Sequence, residues 1–249
     1  MKKQTLIYDG SFEGLLTAIF QVYEERLKEV IIVDEVHYEP DFFSEAVTVY
    51  TDEGKANRVW DRLKDYKNLS QLIYWSFLSE FDERERYILE ALQYVLKTQN
   101  ENDYGHPAVL MLSQLTKKVG REKHRMEAFV RFKRTKEDLY VSIISPDFNV
   151  LPLIAKHFKN RYADQQFVIY DTKRGYGLFY NLDSIAFIEL DFNSKENLEN
   201  AMHEEETNYD LLWQNYFSST NIKSRINMRL HKQHVPKRYW KYLNEKNPL

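Results

Sequence analysis

The sequence predicts an α+β protein: an N-terminal strand–helix unit and a helical block, then an antiparallel sheet with helices on one face and a basic C-terminal tail. Residues 53–99 keep a helical spacing of apolar side chains, and residues 122–190 contain short runs in which apolar and polar side chains alternate. With 249 residues and 43% hydrophobic content the chain can bury a sizeable core. We predict one compact domain over 1–249 that can divide into subdomains 1–104, mostly helical, and 105–249, the sheet with its helices.

The N-terminal unit begins with a strand, a turn and a helix. Residues 5–8 are suited to a short strand, and Ser11 in the following turn supplies a helix cap. Apolar side chains at helical spacing then predict a helix over 11–29. The chain is expected to return to a strand near 30–33 or 46–50, which gives an α/β opening.

The period of the apolar residues also predicts the elements of the remaining chain. Helices are expected at 53–64, 67–79, 81–98, 107–120, 151–162 and 195–219. Strands are expected at 126–132, 139–143, 167–170, 176–181 and 184–190. The polar segment 100–107 predicts a linker.

Positive charge is concentrated in two segments that are far apart in the sequence. Residues 117–136 hold nine Lys or Arg and two acids, and residues 211–249 hold eight Lys or Arg and one acid. Each segment therefore carries a net charge of +7 in a protein whose total charge is −3. This asymmetry favours an anionic partner, and the partner that we expect is nucleic acid.

The composition of both basic segments fits nucleic acid. Cations alternate with apolar residues over 121–134, which puts guanidinium groups, good phosphate donors, opposite the buried face of a strand. Residues 221–240 combine cations with amides that can bond base edges and rings that can stack on bases. Two alternatives stay open: a solvated strand face with internal salt bridges, and a tail that Tyr239 and Trp240 anchor onto the core.

Further candidates lie between these segments. His157 and Arg161 are one helical turn apart and could share a phosphate, although a histidine paired to a carboxylate at the core edge is the more common arrangement. Arg174 lies in a turn between two predicted strands. The predicted nucleic-acid-binding residues are His124, Arg125, Arg131, His157, Arg161, Arg174, Arg225, Asn227, Lys237, Arg238, Tyr239 and Trp240.

The composition disfavours several kinds of chemistry. The chain has no cysteine, so disulfides, thiolate catalysis, cysteine-ligated zinc and iron–sulfur clusters are excluded. Its seven histidines form no compact ligand pattern, and we predict no metal and no cofactor. Nucleophile motifs and Gly-rich nucleotide loops are missing. Asp147, Asp171 and Asp183 could each be a general base, but aspartate is also an ordinary turn residue.

Residues along nearly the whole chain carry a resemblance to a known family. They are residues 8–16, Glu122, His124, Arg125, 129–132, Pro146, 150–153, His157, Phe158, Arg161, Tyr170, Asp171, Arg174, Trp213, Tyr216, Arg225, Asn227 and 236–240. Their order and spacing resemble a family of DNA-metabolism and DNA-repair proteins that contains a domain of unknown function. One position departs from the family: Phe148 stands where a histidine is expected between Pro146 and Val150.

The resemblance implies a setting in DNA repair more than a reaction. Members of such a family are encoded beside a radical SAM protein, and a similar domain occurs fused to a uracil-DNA-glycosylase-like module. We therefore expect a DNA-binding protein that works with a separate radical SAM enzyme and lacks a complete active site of its own. The alternatives are a base- or nucleotide-excision enzyme of the glycosylase type and a protein-interaction scaffold.

The sequence also carries an expectation about location. It contains no run of about 18 uncharged apolar residues, and its N-terminus lacks the apolar stretch of a secretory signal. We expect a cytoplasmic protein with no membrane partner.

Overall fold

The chain divides into two compact units, Met1–Gly120 and Arg121–Leu249. A computed structural model describes residues 4–40, 45–136, 138–189 and 235–243. The division falls inside a helix, whereas the predicted subdomain boundary at 104/105 lies in the loop that precedes this helix. The predicted helix at 195–219 lies outside the described residues.

The first unit combines a parallel sheet with helices. Its described elements are β1 (Gln4–Tyr8), α1 (Phe12–Glu24), β2 (Val30–Asp34), β3 (Glu45–Thr48), α2 (Glu53–Leu63), α3 (Lys67–Phe77), α4 (Arg84–Thr98) and the first part of α5 (Pro107–Phe129). The sheet has the order β2-β1-β3, and both outer strands are parallel to β1. Both alternatives for the returning strand are therefore present, one on each side of β1.

Local sequence explains the start of the first unit. Ser11 is the N-cap of α1, and its hydroxyl accepts a hydrogen bond from the Gly14 amide at 2.9 Å. The helix ends at Glu24, earlier than predicted, and Arg26 follows with a φ of 55° that turns the chain toward β2. Leu6 of β1 and Leu15 and Ile19 of α1 are fully buried in one core with residues of α2–α4.

The second unit contains a five-stranded sheet with the order β4-β5-β6-β7-β8. Its described elements are the last part of α5, β4 (Lys133–Arg134), β5 (Tyr140–Ile144), α6 (Leu151–Arg161), β6 (Phe167–Asp171), β7 (Tyr176–Tyr180), β8 (Ile185–Glu189) and a 3₁₀ helix (Lys237–Tyr242). The predicted α+β class is confirmed.

The prediction of a purely antiparallel sheet is wrong for one strand pair. β5 and β6 are parallel, whereas the other neighbouring strands are antiparallel. The physical reason is α6, which connects β5 to β6 and carries the chain back along the sheet, so that the second strand starts at the same end as the first. The sheet is therefore mixed.

The predicted strand over 126–132 is also wrong, because helix α5 continues to Phe129. The buried residues in this stretch are Glu122, Met126 and Val130, which recur every four residues as on one face of a helix. Ala128, which strand alternation would bury with Met126, is exposed. The Arg, Glu, Lys, Met and Ala residues that follow Gly120 are good helix formers, so nothing ends the helix earlier.

Aromatic rings hold α6 against the sheet of the second unit. Phe158 of α6 is 1% exposed, and its ring centroid lies 5.7 Å from that of Phe132 and 6.4 Å from that of Phe167.

None of the helices in the described ranges combines the length and apolar character that a membrane crossing requires.

Replacing Phe158 by Ala should lower the free energy of unfolding by about 3–5 kcal/mol, because the change removes a buried ring and leaves a cavity. Chemical denaturation followed by circular dichroism measures this loss. Lys156→Ala is the matched control, since Lys156 is exposed on the same helix. A loss of stability no larger for Phe158→Ala than for the control would show that the ring does not hold α6 in place.

Candidate functional site

A buried carboxylate in the second unit collects residues from both basic segments. Glu122 of α5 is 1% exposed and belongs to a group that we call the Glu122 cluster. The cluster consists of Glu122, Arg125, Asp147, Arg238 and Tyr239. It joins α5, the loop after β5 and the C-terminal 3₁₀ helix.

The Glu122 carboxylate accepts hydrogen bonds at both of its oxygens. The backbone amide of Asp147 donates to Oε1 at 2.9 Å, and the Tyr239 hydroxyl donates to the same oxygen. Arg238 donates to Oε2 at 3.0 Å, and Arg125 lies 3.6 Å from that oxygen. A buried charge is tolerated only when it is paired and hydrogen-bonded, and these groups meet that requirement.

Tyr239 is the residue through which the C-terminal segment reaches the core. Its side chain is 1% exposed, and its ring lies 5.5 Å from that of Phe129. Its hydroxyl donates to Glu122 and accepts from Arg238 at 2.5 Å. Burial, together with the hydrogen bond to the Glu122 carboxylate, raises the pKa of Tyr239 above its usual value. Tyr239 therefore stays a neutral donor.

Arg238 sits between two carboxylates at the surface of the cluster. Its side chain is 42% exposed and lies 2.8 Å from the Asp147 carboxylate, which is 49% exposed. Burial would lower the pKa of Arg238, but the hydrogen bond with Tyr239 and the charges of Glu122 and Asp147 raise it. Arg238 thus remains a cation with part of its guanidinium accessible to solvent.

A second buried carboxylate holds the loop that carries Asp147. Asp171 at the end of β6 is fully buried and accepts from the Arg174 guanidinium at 2.6 Å and the Lys173 amide at 2.9 Å. Both residues also donate from their side chains to the Asp147 carbonyl, Lys173 at 3.0 Å and Arg174 at 3.2 Å. The Asp147 backbone is thereby fixed from two directions.

The exposed face of α5 beside the cluster is cationic. Arg121, His124 and Arg125 are three and four residues apart, so a helix places them on one side. Arg121 and His124 are exposed, and the Arg125 side chain is 27% exposed. Lys237, next to Arg238 on the 3₁₀ helix, is exposed as well. Of these four cations, Arg125 contacts the Glu122 carboxylate, and the other three are exposed neighbours of Arg125 or Arg238 in the sequence.

The structure brings together some of the predicted site residues. Arg125, Arg238 and Tyr239 meet at Glu122, and Arg174 reaches the same region through the Asp147 backbone. Tyr239 or Trp240 is expected to stack on bases, and of these two rings that of Tyr239 is buried. Its contacts favour the alternative in which this residue anchors the tail. Trp240 is partly buried, and its indole donates to the Val235 carbonyl at 3.0 Å.

Other predicted residues lie apart from the cluster. Arg131 donates to the carbonyls of Ala128 and Val130 at the end of α5. His157 is 3.7 Å from Glu127, which agrees with the histidine–carboxylate alternative, and Arg161 is exposed over the Tyr162 ring. Within the described ranges, no hydrogen bond or ion pair joins His157 or Arg161 to the Glu122 cluster.

Arg225 and Asn227 lie outside the described residues. The same ranges contain no group of three or more His, Asp or Glu side chains that could hold a metal ion.

The binding residues predicted from the sequence do not include Glu122, Asp147 or Arg121, although Arg121 lies in the basic stretch 121–134 and Asp147 is a candidate general base. A helical reading of α5 would have found Arg121, because it places Arg121 beside His124 and Arg125. Strand alternation instead put Arg121 with Lys123 and Arg125. The meeting of Glu122 with Arg238 carries no local signal, since 116 residues separate the two.

Replacing Tyr239 by Phe should lower the free energy of unfolding by about 1–3 kcal/mol, because the buried Glu122 carboxylate then loses a donor. The contribution of a group with a raised folded pKa is complete below its unfolded pKa, here about pH 10, and is lost as the pH rises further. Wild-type stability should therefore decline above about pH 10.

The Tyr239→Phe variant should show a smaller alkaline decline than the wild type. Other tyrosines with raised pKa values should contribute to the decline that remains: Tyr8, Tyr23, Tyr74 and Tyr94. Denaturation curves between pH 7 and pH 11 measure both effects. Tyr50→Phe is the control, because Tyr50 is 84% exposed. Equal stability of Tyr239→Phe and wild type at pH 7 would exclude a structural role for the hydroxyl.

Comparison with known families places most of the chain in one of them. A family model described as a domain of unknown function, DUF4130, matches residues 82–245, from α4 beyond the 3₁₀ helix. The match includes every residue of the Glu122 cluster. A search of curated proteins finds no match to the chain. The family match confirms the part of the resemblance that concerns a domain of unknown function, and the chain belongs to the DUF4130 family.

Proposed function

We propose that the protein binds nucleic acid, specifically DNA during repair or processing, through the cationic surface around the Glu122 cluster. The observation that supports this function best is the meeting of two basic segments at one carboxylate. Arg125 from the segment 117–136 and Arg238 from the segment 211–249 both contact Glu122. A cation from each basic segment thus lies at one carboxylate, and phosphate is the ligand that clustered guanidinium groups attract most strongly.

The internal pairing of Arg238 does not prevent it from binding phosphate. The Arg238–Asp147 pair is exposed on both sides, and exposed pairs of this kind contribute only about 0–1 kcal/mol. A DNA phosphate offers the guanidinium a charge-assisted bidentate bond and releases counterions from the DNA. The phosphate can therefore displace the Asp147 carboxylate at little cost, while Arg238 keeps its bond to the buried Glu122 carboxylate.

Arg174 has a different role in this proposal. Its side chain is 9% exposed, and the Asp171 carboxylate that it contacts is fully buried. Breaking a buried pair leaves an uncompensated charge, which costs about 3–5 kcal/mol. Arg174 therefore positions the Asp147 loop, and Arg121, His124, Arg125, Lys237 and Arg238 contact the phosphates.

The resemblance of the sequence to DNA-repair proteins supports the same function and adds a partner. A radical SAM enzyme holds its iron–sulfur cluster through cysteine thiolates, and this chain has no cysteine. Chemistry of that type must come from a separate protein, to which the DUF4130 chain presents the DNA.

The test of this function is the salt dependence of binding. Fluorescence anisotropy with a labelled single-stranded oligonucleotide should show a steep loss of affinity between about 50 and 200 mM salt. The double variant Arg121→Ala/Lys237→Ala, which removes two exposed cations and leaves Arg238 on Glu122, should bind more weakly and have a salt slope smaller by about 1.4, since each contact to a single-stranded phosphate contributes about 0.7.

Arg62→Ala is the matched control for this measurement. Arg62 is an exposed arginine of α2 in the first unit, with a side chain that is 57% exposed. This variant should bind as the wild type does. Weak binding at the lowest salt, or an equal loss of affinity in Arg62→Ala and the double variant, would refute binding through the Glu122 cluster.

A further inference from the structure

The first unit contains a groove along the outer edge of its sheet. The groove has a volume of about 760 Å³, and its walls are the edge strand β2, the loop before α4 and the first turns of α4. Every residue of β2 lines it, from Val30 to Asp34. On the opposite wall lie Leu89 and Gln93 of α4.

The backbone of β2 offers unused hydrogen-bonding groups to this groove. The amide of Gln4 donates to the Glu29 carbonyl, and the amide of Glu35 donates to the Tyr8 carbonyl. In a parallel pair of strands, every second residue hydrogen-bonds the neighbouring strand and the residues between them face away from it. The odd-numbered residues of β2 are therefore those that bond β1. The amides and carbonyls of Val30 and Ile32 face outward, and in the described ranges no hydrogen bond engages them.

The groove is strongly acidic. Among the described residues that line it, seven are carboxylates and three are Lys or Arg. Two of the cations are already paired. Arg84 pairs with Asp34 and Glu85, and Arg86 pairs with Glu83. The carboxylates of Glu29, Asp82 and Glu90 have no ion-pair partner within the part of the chain that the structure describes. The surplus negative charge favours a cationic occupant.

A buried network keeps the wall of the groove in place. Arg84 is 7% exposed and donates to Asp34 at 3.1 Å and to Glu85 at 2.8 Å. The Tyr8 hydroxyl donates to the same Glu85 carboxylate at 2.7 Å. Burial would lower the pKa of Arg84, but the Glu85 carboxylate raises it. Because Arg84 is already paired with two carboxylates, its charge does not neutralise the remaining carboxylates of the groove.

We propose that this groove binds an extended basic peptide segment of a partner protein, which adds to the sheet as a fourth strand beside β2. The outward amides and carbonyls of Val30 and Ile32 would supply the main-chain bonds of strand addition. Alternate side chains of the added strand would contact Leu89 and Gln93, and Lys or Arg side chains would reach Glu29 and Glu90. An unpaired strand edge is a template for such pairing, and the acidic rim selects the charge of the partner.

The proposal is tested with a peptide of the sequence Lys-Val-Arg-Val-Lys-Val-Arg that is labelled with a fluorophore. Fluorescence anisotropy should show saturable binding, and the amide hydrogens of Val30 and Ile32 should exchange more slowly when the peptide is bound. Two further versions of the peptide carry N-methyl groups on every second residue. In one version the methylated amides are those that face β2, and in the other they are the amides that face away. The version methylated on the edge that faces β2 should bind at least tenfold more weakly, and the other should bind as the parent does.

The double variant Glu29→Lys/Glu90→Lys should also weaken binding at least tenfold. Both residues are exposed, so circular dichroism should show an unchanged fold. Glu45→Lys is the matched control, because Glu45 is an exposed acid on β3 at the opposite edge of the sheet. This control should bind the peptide as the wild type does.

Three outcomes would overturn the proposal. Equal affinity for both N-methylated peptides would exclude strand addition, and wild-type affinity of Glu29→Lys/Glu90→Lys would exclude selection by charge. A dimer in the absence of peptide that the same double variant dissociates would show that a second copy of the chain occupies the edge. All of the residues involved lie in 1–120, so this test and the DNA-binding test can fail separately.

Discussion

The carboxylate of Glu122 is the group on which the second unit depends. A charge that is 1% exposed requires several donors, and its donors come from a loop, from the 3₁₀ helix and from α5 itself. The chain must therefore bring Asp147, Arg238 and Tyr239 to one point. This requirement fixes the 3₁₀ helix beside α5, and it brings Arg125 and Arg238, one from each basic segment, to the same carboxylate.

Exposure distinguishes the fully enclosed arginine pairs from Arg238, which contacts the buried Glu122 carboxylate and also reaches solvent. Arg174 and Asp171 form a pair that is shielded from water. In the first unit, Arg84 forms similarly shielded pairs with Asp34 and Glu85. Water and salt weaken the exposed Arg238–Asp147 pair, so an anion can compete for its guanidinium. The two units present opposite charges to solvent, a cationic surface around Glu122 and an acidic groove beside β2. Partners of different charge are thus suited to different parts of the chain.

Much of the fold could be predicted from the sequence, because most elements are short and regular in their apolar period. The helices α2, α3, α4 and α6 and the strands β5 to β8 lie within a few residues of their predicted positions. The prediction failed at α5, where Met126, Ala128 and Val130 match strand alternation by chance. It also failed at the direction of β6, which depends on how α6 crosses the sheet and not on the composition of the strand.

The sequence by itself determined the α+β class, the two basic segments and the absence of cysteine chemistry, because composition and periodicity are local properties. It also contained the residues of the Glu122 cluster, but not their meeting. Only the tertiary structure decided that Arg125 and Arg238 share one carboxylate and that Tyr239 is a buried anchor instead of an exposed ring. The physical reason is that burial and ion pairing depend on contacts between residues more than 100 positions apart, and no local pattern encodes such contacts.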